Sequence, residues 1–315
     1  MLDPDILVPS LPSPEELRAT WPWTHGFARE LLELRQTPFS GSHLIVGSDY
    51  SGSHVDSQFR TYGFLIADAD MSPFWPMRIR RVRDGILKER RMSFKNLNDV
   101  RRREALIPFL EAAEAFTGHV VVVAVAKKLS YLTSYRQAIK RWSDLHGVKA
   151  RWESRAFEEM SRVAHFFSLF VAAWSSPAMN VSWFTDEDDI VANADRLEDA
   201  HQFAAKLSNL HVRHQLGEFM MNTPAVVPDD FALEDFLAIP DLAAGMVGEI
   251  LAKHNPQWSS HAPSSASSSG LSAKSDIIAD WFWHNEGTLR KTCILIQAAG
   301  EGQYGIGTLK SRMSQ

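Results

Sequence analysis

The stretch from His119 to Ala126 reads HVVVVAVA, a continuous run of β-branched and small apolar residues closed by Lys127 and Lys128. Apolar character without polar alternation predicts a strand buried on both faces. Shorter runs repeat the signal. Leu44 to Val46 ends in the turn residues Ser51, Gly52 and Ser53, and Phe59 to Ala67 (FRTYGFLIA) carries Gly63 at a close-packed position before Asp68 and Asp70. An antiparallel pair is the simplest arrangement of these two. Val181 to Phe184 (VSWF) predicts another short strand, and Thr292 to Gln297 with the Gly-rich GEGQYGIG predicts a closing hairpin.

Helical spacing fills the intervals. Ser13-Pro14-Glu15-Glu16 has the cap, first-turn proline and acids of a helix start, so a helix is expected from Pro14 to about Arg35, with Trp21, Trp23 and Phe27 turned to the sheet. Leu106, Phe109, Leu110, Ala113 and Phe116 place one apolar stripe on Glu104 to Phe116, and Thr117-Gly118 ends it. Ala156 to Trp174 and Ile190 to about Met221 also read as helical. Phe231 to Ile239 reads as a short apolar segment, and Pro240-Asp241 as the entry to a helix over Leu242 to Leu251. A further helix is expected over Asp276 to Trp283. Arg78 to Arg83 (RIRRVR) alternates basic and apolar residues and fits either a strand or the lead into a helix. The chain thus divides into an irregular arm and helix (1–40), a main domain (41–257), a serine-rich tether (258–275) and a final helix and hairpin (276–315), with no internal repeat. The pattern is that of an α/β protein.

At 315 residues, with 45% hydrophobic and 23% charged residues, the chain has the composition of a soluble globular protein. A formal net charge of -5 excludes a uniformly basic surface. The charge is uneven, however: Arg78 to Arg103 holds 11 of the 33 Lys and Arg residues. The single Cys293 excludes an internal disulfide framework, so a reducing, cytoplasmic setting is expected. No apolar run approaches the roughly 18 residues of a membrane span, and no membrane partner is expected.

Three acidic positions fall at comparable places: Asp49 after the first strand, the Asp186 to Asp189 run after a later one, and Asp241 beside Pro240. Singly, each has an ordinary reading as a turn residue, a solvated loop or a first-turn dipole partner. Together they are what two-metal phosphodiester chemistry requires, because cations about 3.5–4 Å apart must be clamped by carboxylates from separate elements. The basic segment offers Arg78, Arg80, Arg81, Arg101 and Arg102 for contact with a phosphate backbone, and Lys95 for a phosphate near the acids. Phe94 and Trp75 are candidates for stacking on an unpaired base, and His54 for a role beside Asp49.

The order of these pieces resembles the RNase H-like family known as DUF3800. Asp49-Tyr50-Ser51-Gly52, Phe94-Lys95, the strand from His119 to Lys127, Trp183-Phe184-Thr185-Asp186 and Pro240-Asp241-Leu242-Ala243-Ala244-Gly245 follow the family's sequence of motifs over about residues 43 to 255. The resemblance implies an RNase H-like mixed sheet flanked by helices, with helical insertions and a C-terminal extension. It implies a nuclease in which Asp49, Asp186 and Asp241 ligate Mg²⁺ or Mn²⁺, acting on DNA or RNA, and the company such domains keep extends the expectation to defence against phage or mobile elements. Two departures stand out: Tyr50 replaces the family's glutamate, and Ser93 stands where an acid is usual. Glu89 is therefore the expected fourth carboxylate, with Glu104 the fallback.

Two rivals remain. A catalytically silent RNase H-like scaffold would bind nucleic acid or a protein partner. A phosphotransfer enzyme is suggested because Asp49 followed by Ser51-Gly52-Ser53 is similar to the haloacid-dehalogenase phosphatase loop, although that loop's second aspartate would fall at Ser51.

Overall fold

A computed structural model describes residues 22–34, 37–52, 57–129, 148–186, 190–224, 231–253, 265–266, 270–284, 286–300 and 303–311. The expected proline-rich arm, Trp21, His54, the acidic residues Glu187, Asp188 and Asp189, and most of the serine-rich tether lie outside these residues.

The apolar runs assemble into a sheet of β1 (His43–Ser51), β2 (Phe59–Asp68), β3 (Gly118–Ala126), β4 (Asn180–Thr185), β5 (Phe219–Asn222), β6 (Ser265–Ala266), β7 (Leu289–Gly300) and β8 (Gln303–Ser311), in the order β5-β4-β1-β2-β3-β7-β8-β6. β1 pairs antiparallel with β2 and β2 with β3, whereas β4 is parallel to β1 and β5 parallel to β4. In the block β3-β2-β1-β4-β5, β2 alone runs against the other four, which is the RNase H-like mixed sheet. β7 extends it in parallel from β3, and β8 returns antiparallel.

Both faces of the sheet are covered. One carries α1 (Pro22–Glu33), α4 (Ser154–Trp174) and α5 (Ala194–His211), whose Trp23, Phe27, Phe166, Phe170 and Phe203 pack on Leu44, Val46, Phe64, Val121 and Val123. The other carries α2 (Trp75–Val82), α3 (Val100–Ala113), α6 (Phe231–Lys253) and α7 (Ala273–Trp283), contributing Ile79, Phe109, Phe236, Met246 and Phe282 against Leu65, Val120 and Val122. Successive side chains of a strand point to opposite faces. Every residue of β3 is buried, valines 121, 123 and 125 on one side and 120 and 122 on the other, as its unbroken apolar run requires.

Several expectations are corrected. Arg78 to Arg83 is helical: α2 buries Trp75, Ile79 and Val82 at spacings of four and three, a helical stripe that hydrophobic alternation had imitated. Trp75 belongs to the core, its ring 4.7 Å from Phe116, and offers no free face for a base. The helix expected to reach Met221 ends at His211, and the strand β5 follows. The segments on either side of Pro240 form one helix of 23 residues, so Asp241 sits in mid-helix and not in a first turn. The final hairpin is paired to β3 through β7 and so shares the central sheet.

A cap near the site gives a modest test. Asp99 accepts a hydrogen bond from the Arg102 backbone N–H (3.0 Å) at the start of α3. Asp99→Ala is expected to cost about 1 kcal/mol in chemical denaturation.

Candidate active site

Strand register alone brings two of the three acids together. Ser48 of β1 lies opposite Thr185 of β4, and the Asp186 N–H bonds to the Ser48 carbonyl at 3.3 Å. The next positions, Asp49 and Asp186, are therefore neighbours across adjacent parallel strands, about 4.8 Å apart along the backbone. Their face follows by alternation. The Tyr50 hydroxyl lies 2.8 Å from Ser48 Oγ and 3.1 Å from Thr185 Oγ1, and Trp183 Nε1 donates to Ser48 Oγ (2.9 Å). That network occupies the α4 side, which leaves Asp49 and Asp186 on the α6 side. Tyr50 therefore replaces no acid on the Asp49 face.

α6 delivers the third acid. Gly63, the cross-strand partner of Asp49, has no side chain, and a Cβ there would collide with the Pro240 carbonyl. Further along, Thr61 Oγ1 donates to the Ala244 carbonyl (3.1 Å). With α6 seated on β2 at these two points, Asp241, next after Pro240, lies over the β1 end. The Asp241 carboxylate accepts a hydrogen bond from the Phe94 N–H (2.7 Å), and the Phe94 ring rests on Gly245, where any side chain would displace it. Lys274 Nζ stands 4.0 Å from that ring and donates to the Phe94 carbonyl (2.9 Å). Phe94 is thus held by α6 and α7.

The electrostatics are those of a crowded acidic site. Burial pushes the Asp241 carboxyl up to about 6; the Phe94 N–H opposes this, Asp186 adds to it, and Arg91 and Lys95 oppose it. The Arg91 guanidinium bonds Asp186 Oδ1 through Nη2 at 3.0 Å. Burial weakens its charge, but Asp186, Glu234 and Asp49 outweigh burial and raise its pKa. Arg91 therefore stands among four carboxylates: Asp49, Asp186, Asp241 and Glu234.

Of the residues expected from sequence, Asp49, Asp186 and Asp241 converge, and Lys95 is exposed on the 3₁₀ turn Phe94–Asn96 within electrostatic reach of Asp241. Glu89 and Glu104 are exposed, in a turn and on α3 respectively. The acid that faces Arg91 in addition is Glu234, seven residues before Asp241 and so on the same side of α6. Arg78, Arg80, Arg81 and Arg101 are exposed. Arg102 is partly buried, its Nε donating to the Arg91 carbonyl at 2.7 Å and its Nη1 3.7 Å from Asp99.

No family model and no curated protein matches the chain. It is similar to the crystal structure of the ribonuclease H2 from Pyrococcus horikoshii OT3, at 12% identity over 70% of this chain and 81% of that one, with a TM-score of 0.36. The strand order, not this distant likeness, carries the fold assignment.

All four acids offer carboxylate oxygens, the donors preferred by Mg²⁺ and Mn²⁺. Among the described residues, no three acids, histidines or cysteines are gathered closely enough to hold a metal ion together, and Arg91 is the positive group in their midst. A cavity of about 660 Å³ opens at the opposite end of the sheet, lined by Phe39, Asp68, His119 and Arg290. Its one acid, Asp68, is bonded to the Gly41 and Met71 N–H groups, and burial and then Arg290 push His119 down to about 3. That cavity lacks the acids of the β1 end. No described helix is long and apolar enough to cross a membrane.

Proposed function

We propose that this chain is a metal-dependent nuclease, of the kind the DUF3800 resemblance implies, hydrolysing a nucleic-acid phosphodiester at Asp49, Asp186 and Asp241. The observation that supports the reading is the placement of Asp49 beside Asp186: the parallel register of β1 and β4 ends at Ser48 opposite Thr185, the Asp186 N–H bonds to the Ser48 carbonyl, and the next residues turn to the face that α6 covers with Asp241. Loops at the carboxyl ends of parallel strands are where α/β sheets place their chemistry. Bound Mg²⁺ or Mn²⁺ would supply an activated water and a counter-charge for the leaving oxygen. Asp49 lies on β1, Asp186 directly after β4 and Asp241 on the helix seated against β2, so a bound metal would draw its oxygens from three separate elements. Phe94 fixes the Asp241 carboxylate by its N–H, and Lys95 beside it offers a positive charge to a substrate phosphate.

The reading is tested by incubating the protein with single- and double-stranded DNA, RNA and an RNA–DNA hybrid in Mn²⁺, Mg²⁺ or EDTA. Cleavage of at least one substrate with metal and none with EDTA is expected. A silent scaffold is the second reading, favoured by the Arg91–Asp186 ion pair; it predicts binding without cleavage.

The exposed cations of α2 and the α3 start lie on the α6 side of the sheet, as Asp49 does. Arg78→Glu together with Arg101→Glu is expected to weaken binding to all sequences alike. The slope of log affinity against log salt should become shallower by about 1–2. An unchanged slope in a salt titration would remove these residues from the nucleic-acid path.

A further inference from the structure

Three adjacent strands carry polar residues at the end of the sheet away from Asp49. Ile66 of β2, Val121 of β3 and Ile294 of β7 pack on the α4 side, so alternation turns Asp68, His119, Thr292 and Arg290 to that side as well. All four line the cavity of about 660 Å³, a volume within the roughly 300–1,000 Å³ of small-molecule pockets. The segment from Thr37 to Ser40 borders it and is fastened to the end of α4: the Phe39 N–H donates to the Trp174 carbonyl (2.8 Å), and Ser176 Oγ donates to the Phe39 carbonyl. The cavity is therefore preformed. Leu34, Pro38 and Met71 give it an apolar wall.

His119 is the residue that core packing does not explain. Its ring is stacked on Trp174 with 4.6 Å between centroids, lies near-parallel to Phe39 at 6.0 Å, and leaves the residue 8% exposed. Among the described residues neither ring nitrogen is hydrogen-bonded. A buried imidazole needs partners for both nitrogens, and the space they face is the cavity. Burial and then the charge of Arg290 hold its pKa near 3, so at neutral pH the ring offers one N–H and one lone pair. Arg290 stands directly opposite His119 in the parallel register of β3 and β7. Asp68, the acid of the cavity, is already answered by the Gly41 and Met71 N–H groups (2.8 and 3.2 Å), and Lys291 on the other face by Glu114.

We infer that this cavity binds a small organic anion, a carboxylate or a phosphate monoester, whose charged group bridges Arg290 and the His119 N–H and whose apolar body lies against Leu34, Pro38 and Met71. A guanidinium and a neutral donor side by side on adjacent strands suit two oxygens of one anionic group. A cation would gain nothing from the neutral imidazole and would be repelled by Arg290. The site uses none of the three aspartates, so its test is independent of the nuclease reading.

The probes are phenyl phosphate and benzoate, with inorganic phosphate as a third arm, added to the full chain with nitrogen-15 in its histidine rings. Long-range proton–nitrogen spectra report each imidazole, and the His119 signals are assigned by their loss in His119→Phe. At millimolar concentration of at least one organic probe the His119 ring nitrogens are expected to shift. His119→Phe keeps a ring on Trp174 and removes the donor; calorimetry should show affinity about tenfold weaker in a chain that circular dichroism finds folded. Arg290→Gln, at an exposed position, should weaken it about 10- to 100-fold, and it keeps the test open if phenylalanine disturbs the packing. Inorganic phosphate binding as tightly as phenyl phosphate would overturn the apolar half of the assignment. Unchanged affinity in both variants, or no shift of His119 with any probe, would overturn the site.

Discussion

Asp241→Asn abolishes Mn²⁺-dependent cleavage while leaving the chain folded, and it stabilises the metal-free protein at neutral pH. Asparagine keeps the shape of the side chain and can still accept the Phe94 N–H, so the position of α6 over β1 is retained. What it lacks is the charge, and deleting one preorganised electrostatic group from a catalytic site costs about 100- to 1000-fold in rate. The stability effect has a definite sign. The folded-state carboxyl is pushed up to about 6, so between about pH 4 and pH 6 the folded chain holds a proton that the unfolded chain has released. Stability of the parent therefore falls as pH rises through that window. The asparagine variant has no such loss, and in EDTA at pH 7.5 it should exceed the parent by about 1–2 kcal/mol, allowing for solvent screening of a half-buried group. The difference should vanish below pH 4. Asp49→Asn should lose cleavage equally. Unchanged turnover in either variant removes that residue from the site, and a loss of stability in Asp241→Asn at neutral pH contradicts the electrostatics.

Gly63→Ala should damage fold and site together. The added methyl meets the carbonyl and Cα of Pro240, which are backbone atoms with no rotamer to yield. Either α6 lifts from the sheet or β2 bows away, and overpacking of this kind costs about 1–3 kcal/mol. Asp241 follows Pro240 directly, so the same displacement draws it from Asp49, and cleavage should fall by more than the folded fraction does. Gly85→Ala is the control: nothing lies within 4 Å of the position a Cβ would take. It should stay within about 0.5 kcal/mol of the parent in urea denaturation. Equal behaviour of the two variants would mean that α6 is not seated on β2 through Gly63.

Much of the sheet was legible because β-branched residues in unbroken runs have few alternatives: β1, β2, β3 and β4 fall where the runs of apolar residues lie. β5 was not, because Phe219-Met220-Met221-Asn222 is short and its two methionines fit a helix as well as a strand. α6 was divided because Pro240 resembles a helix entry in sequence. Proline removes one helical hydrogen bond, but here the helix is buried along nearly its whole length, and tertiary packing overrides the local signal. Asp241 was read as a helix-entry residue and lies in mid-helix, whereas Asp49 and Asp186 were legible from their places near the ends of apolar runs. Arg91 was not, because one arginine among 11 basic residues in a short segment is distinguished only by what it touches. Glu234 shares a face with Asp241 only once α6 is known to be continuous, so dividing the chain at Pro240 left this pair unseen. The expectation for Glu89, upstream of Ser93, rested on motif order, which carries no information on where the side chain is turned; Glu89 is exposed in a turn.

The account rests on Asp49, Asp186 and Asp241 forming one cation site, and anomalous diffraction from crystals soaked in Mn²⁺ tests this most directly. An anomalous peak bounded by the carboxylates of Asp49, Asp186 and Asp241 is the predicted result. No peak among the three aspartates at saturating Mn²⁺ would contradict it.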